Sequence, residues 1–122
     1  MSNLSNFSLT DLVKGIKKKD FTSLEITKTF VNNSENSTKL NAYITKCFDE
    51  AIISAKNFDK KKDYNGLLPG IPIAVKDLFC TKNVKTTAGS KILHNFVPTY
   101  ESTVTKKLWS EGAFLLGKLN CD

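Results

Sequence analysis

Arginine is absent from this 122-residue chain; all 18 of its basic residues are lysine. Without the planar guanidinium fork, bidentate recognition of phosphate or guanine is not available. That excludes a dedicated nucleic-acid reader. Glutamine is missing as well, while Asn, Lys and Ile are abundant, as an AT-rich coding sequence would give. There is 1 histidine, His94, and no partners from which to build a metal cluster or a Ser-His-Asp triad around it. The 3 cysteines, Cys47, Cys80 and Cys121, are odd in number and form no C-x-x-C pair. They read as reduced cytosolic thiols rather than a disulfide frame or a zinc site. Long apolar runs are lacking too. The longest, Leu67 to Val75, is broken by Pro69, Gly70 and Pro72, far short of the roughly 18 residues a membrane helix needs. Met1 to Asn6 offers neither a charged nor an apolar leader segment. A cytoplasmic chain with no membrane role is expected.

What is present is ordinary globular material. Hydrophobic residues make up 40% and charged residues 25%, which excludes collagen-like, coiled-coil and fully disordered chains. The length allows one domain with one core. The formal net charge is +6, but Lys17 to Lys19 and Lys60 to Lys62 are short runs beside turn residues, the pattern of solvated loop ends.

Ser8 followed by Asp11 has the form of a helix N-cap, and Leu9, Leu12, Val13 and Ile16 supply one apolar stripe. Thr22 to Glu25 repeats the capping form and opens a second helix with Ile26, Phe30 and Val31 inward, followed by a polar loop from Asn32 to Thr38. Leu40, Ala42 and Ile44 alternate with Asn41, Tyr43 and Thr45, predicting a half-buried strand with the first set inward. Ala51, Ile52, Ala55 and Phe58 mark a third helix, ended by a lysine-rich loop from Asp59 to Gly66. Ile71 to Val75 reads as a strand covered on both faces. Asp77 to Ser90 is turn-rich and polar. Ser102 to Glu111 predicts a helix with Val104 and Leu108 inward and Gly112 past its end. Ala113 to Leu116 is a second buried strand, completing a βαβ unit with parallel pairing.

Two lysines invite chemistry. Gly112 to Leu119 nearly spells the phosphate loop G-x-x-x-x-G-K-[ST], yet Leu119 offers no hydroxyl to magnesium, and the bulky apolar residues between the glycines would bury as a strand. Lys76 closes the buried run, and strand ends in α/β sheets are where sites are built. Desolvation disfavours an ammonium, and a neutral amine is a general base. Spacing alone favours a lysine that snorkels to water beside Asp77.

Gly70-Ile71-Pro72-Ile73-Ala74-Val75-Lys76-Asp77 resembles the G-[IV]-P-[IV]-x-[VIL]-K-D segment of the amidase signature family. The resemblance continues through Cys80 to Lys82, Thr86 to Ser90, Glu101 to Val104 and Gly112 to Asp122. Ser90 to Pro98 is similar to the A subunits of bacterial and organellar glutamyl-tRNA(Gln) amidotransferases. Thr22 to Thr27 and Leu40 to Thr45 are similar too; Glu101 stands where the family usually has Asp. The resemblance implies an α/β class: N-terminal helices, then the start of an α/β/α sandwich with a mixed sheet. Residues 1–66 form a mainly helical cap and 67–122 carry the first strands, together the N-terminal part of one incomplete amidase domain. It further implies a Ser-cisSer-Lys triad in which Lys76 is the catalytic base. The two serines belong to a Gly/Ser-rich segment that does not occur in these 122 residues, and Ser90 and Ser102 lie in other family blocks. The chain is therefore expected to be an N-terminal fragment, inactive alone, with substrate-binding residues not identified and no metal or cofactor of its own. ATP and magnesium would be used by a B subunit. Implied partners are the B and C subunits, glutamine and Glu-tRNA(Gln), in the bacterial cytoplasm or an organellar matrix. Alternatives are a fragment of another amidase-signature amide hydrolase and a non-catalytic partner-binding fragment.

Overall fold

A computed structural model of the chain describes residues 4–36, 40 and 42–120. After a 3-10 turn at Leu4–Asn6, helix α1 spans Leu9–Lys18, α2 Ser23–Asn36 and α3 Phe48–Lys61, with strand β1, Tyr43–Lys46, between α2 and α3. Strand β2 is Pro72–Lys76, helix α4 Thr103–Ser110 and strand β3 Phe114–Leu119. The strands form one mixed sheet in the order β1-β3-β2. β2 and β3 run parallel on either side of α4, as a βαβ unit requires, and β1 runs antiparallel to β3.

Local chemistry sets the helix starts. The Ser8 hydroxyl accepts from the Asp11 amide at 3.1 Å, and Ser102 caps α4 by accepting from Thr105. Thr22 accepts from the Glu25 amide at 3.1 Å. The two remaining free amides of α2, on Ser23 and Leu24, donate to the two carboxylate oxygens of Asp59, both at 3.0 Å. Sequence spacing places Asp59 in the lysine-rich loop; it lies in α3 and caps another helix. α3 ends later than expected, at Lys61. α4 ends near Gly112, whose φ of 101° few other residues adopt.

Two packed clusters join these elements. Leu4, Leu12, Ile16 and Ile26 bury against Ile71, so the first two helices close over the start of β2. Val31, Phe48 and Ala51 bury against Leu116 of β3. Each fully buried aliphatic side chain contributes about 1.5–3 kcal/mol of transfer free energy.

Several expectations need correction. α2 continues to Asn36 where a loop was expected from Asn32; burial of Val31 against α3 outweighs the weak helix propensity of Asn and Ser. Residues 37–39 and Asn41 lie outside the described residues. β1 is turned over: Tyr43 and Thr45 are half-buried, whereas Leu40, Ala42 and Ile44 are exposed. Tyr43 pairs with Leu119 and Thr45 with Lys118, so Ile44 is an extra, bulged residue, and the ladder does not follow the sequence alternation. α4 buries Thr105, while Val104 is exposed and Leu108 half-buried. β2 is half-covered along Pro72, Ile73 and Ala74 rather than enclosed on both faces, and among the described residues it lies at an edge of the sheet.

Candidate functional site

Lys76 is the last residue of β2, opposite Leu119 of β3. Its side chain is exposed. Its backbone is well fixed. The Lys76 carbonyl accepts from the Phe79 amide at 3.1 Å, closing a turn, and the next amide, on Asp77, donates to Leu119 O at 2.9 Å.

The other candidate groups do not converge on it. His94 is exposed, with Nδ1 2.7 Å from the Lys91 carbonyl. Ser90 accepts from the Ile92 amide, and Ser102 caps α4; both serve local structure. Glu101 accepts from the Lys82 amide at 3.4 Å and from the Thr105 hydroxyl, which ties the start of α4 to the preceding segment. Cys47 is buried and free, and burial, with Glu50 nearby, pushes its thiol up; Lys118 pulls the other way. Cys80 donates to the Tyr100 hydroxyl at 3.3 Å. Cys121 lies outside the described residues. An open cavity of about 520 Å³ between β1 and the connection after β2 is lined by Lys46, Lys85, Lys91 and His94, with Thr45, Thr87 and Ser90.

The buried charged groups lie elsewhere. Lys118, the lysine of the false phosphate loop, is fully buried in β3. Its Nζ donates to Phe79 O at 2.7 Å and to the hydroxyls of Thr81 and Thr86, each at 3.0 Å. Three donors meet three acceptors, so the ammonium is satisfied without water. Burial pulls its proton affinity below the usual lysine range, opposed by Asp77 first and by Cys80, Cys47 and Glu101. Asp77 is fully buried too. One of its oxygens accepts from the Thr87 amide at 3.1 Å and from the Thr87 hydroxyl; the other, Oδ1, is buried with no hydrogen-bond partner.

A sequence model of the amidase family matches residues 25–122. This chain belongs to the amidase family. Among its relatives, the A subunit of the Pelagibacter ubique glutamyl-tRNA(Gln) amidotransferase is 61% identical over 122 residues, covering 100% of this chain and 25% of that protein. The protein of the same name from Caulobacter vibrioides is 49% identical over 122 residues, covering 98% and 25%. The chain thus spans about a quarter of the length of the curated relatives it matches. Solved amidase structures share the fold. Fatty acid amide hydrolase superposes with a TM-score of 0.87 at 25% identity, over 95% of this chain and 21% of its own. A bacterial aryl acylamidase of the amidase signature family gives 0.83 at 27%, over 93% and 25%.

In this amidase chain the sequence directs attention to Lys76 and passes over Lys118, Asp77 and Asp59. The signal for Lys118 was available. A lysine inside the apolar run Phe114 to Leu119 must either leave the strand or find acceptors, and the hydroxyls of Thr81 and Thr86 were the candidates. As arranged, Lys76 stands exposed at the end of β2, the kind of position from which α/β sheets present reactive groups.

Proposed function

We propose that this chain is the N-terminal portion of the A subunit of a glutamyl-tRNA(Gln) amidotransferase, within a single amidase domain, and that Lys76 supplies the base for glutamine hydrolysis. The observation that carries this reading is 61% identity sustained across all 122 residues with a relative bearing that name. Neutral Lys76 takes a proton through the bridging serine from the nucleophilic serine. The serine oxygen bonds to the amide carbon of glutamine, the carbon–nitrogen bond breaks, and the lysine returns the proton to the departing ammonia. Water then releases glutamate from the serine. Both serines belong to the remainder of the domain. The ammonia serves a B subunit, which uses ATP and magnesium to convert Glu-tRNA(Gln) to Gln-tRNA(Gln), with a C subunit joining the two in the cytoplasm.

The test is ammonia release from glutamine. In the full-length protein, Lys76→Ala should lower kcat by about 10²–10⁴-fold, the usual contribution of a positioned general base. The 122-residue chain alone should release none. Undiminished activity of the variant would reject the role of Lys76. A second reading, hydrolysis of other amides, is favoured by the structural likeness to a fatty acid amide hydrolase and an aryl acylamidase. Their 25% and 27% identities weigh less than 61%. Turnover of simple amides in preference to glutamine would reverse that order.

A further inference from the structure

The polypeptide leaving Lys76 is held from below by charge. Asp77, the next residue, is tied to Leu119 and Ala88 through its backbone and to Thr87 through its carboxylate. Two residues on, the Phe79 amide closes a turn onto Lys76 O while the Phe79 carbonyl receives the Lys118 ammonium at 2.7 Å. Lys118 is the register partner of Val75, so strand alternation sets it across the sheet from the Lys76 side chain. It reaches the same backbone from behind. The arrangement is costly: a buried ammonium and a buried carboxylate each carry a large desolvation penalty. Apolar residues of similar shape would fill this space at lower cost, yet an apolar side chain could not grip a carbonyl and two hydroxyls at once.

We infer that Lys118 is a positioning residue for Lys76, fixing the turn from which the catalytic amine projects by clamping Phe79 O, Thr81 and Thr86. A base on a flexible four-carbon stem gains reach and loses placement. Misplacement of a reacting group by about 1 Å costs on the order of 10²-fold in rate, so a fixed root matters. This inference rests on the reading of Lys76 as the base.

The experiment uses the full-length enzyme with glutamine, and measures kcat per folded molecule alongside KM. Lys118→Met keeps the volume and removes the clamp; it should lower kcat by about tenfold or more with KM within about twofold, since the turn and not the substrate pocket is loosened. Thr86→Val, nearly the same shape, removes one acceptor and should lower kcat by a smaller factor. Thr86 also bonds the Thr81 amide and the Val84 carbonyl, so the double variant should lose less than the product of the two factors, the shared Lys118 contact being lost only once. Unchanged kcat in folded Lys118→Met, or KM rising in step with the loss of kcat, would overturn the inference. Should Lys118→Met fail to fold, an unchanged kcat in Thr86→Val overturns it. A fully active Lys76→Ala enzyme overturns both this inference and the reading beneath it. An inactive Lys76→Ala enzyme with wild-type kcat in Lys118→Met overturns the inference alone.

Discussion

At the scale of single residues, this chain places carboxylates and ammonium groups where backbone needs them. Asp59 accepts the first two amides of α2, where the helix dipole also favours negative charge. Asp59→Ala should therefore destabilise the protein by about 1–2 kcal/mol, as loss of a strong N-cap does, and Asp59→Asn by less. Denaturant midpoints of the two variants check the order. A loss no greater than that of an exposed Asp63→Ala control would remove the capping role. Asp59 was not legible as a cap because its partners lie 36 and 35 residues away in the chain. The local caps Ser8, Thr22 and Ser102 were legible, since each acts on an amide three residues on. Lys76 could be located from its motif. Its exposure could not be read there, because burial is decided by chain that packs over a strand end.

At the scale of elements, glycine and bulges decide how the strands meet. A Cβ on Gly117 would stand 2.7 Å from the Tyr43 ring and 2.8 Å from the Thr45 carbonyl. Gly117 thus lets β1 lay its tyrosine over β3, where the ring also meets Phe48 edge-on at 5.3 Å. Gly117→Ala should cost about 1–3 kcal/mol by overpacking, read as a lower unfolding midpoint with near-native far-UV circular dichroism. A variant as stable as the parent would show that the ring gives way freely. The bulges at Ile44 and Leu116 explain why strand existence was legible and strand orientation was not. Period-2 alternation assigns faces only while the ladder is regular, and one extra residue sends Leu116 into the α2–α3 cluster. The turn-rich polar stretch from Asp77 to Ser90 conceals its burial for a related reason. Its buried hydroxyls are held by a lysine far along the chain and one carboxylate oxygen by Thr87, while Asp77 Oδ1 has no hydrogen-bond partner.

At the scale of the molecule, both outer strands of the sheet, β1 and β2, have a side on which no described strand pairs. Large apolar side chains also stand in the open, Ile92 at 93% exposure, Leu40 at 76% and Leu67 at 74%. Unpaired edges and exposed apolar surface promote association. Sedimentation of the 122-residue chain alone should give an average mass that rises with concentration. A monomer at every concentration, with one sharp unfolding transition, would contradict this. No helix among the described residues is long and apolar enough to cross a membrane.

The cage around Lys118 joins residues 39, 37 and 32 positions apart, and this dictates an order of events during synthesis. A nascent chain extruded only as far as α4 holds β2 with no neighbour, and its threonine turn has no cation. The same six residues of β3 deliver both. Until β3 has been made, the segment that begins at Lys76 therefore lacks both its strand partner and its cation.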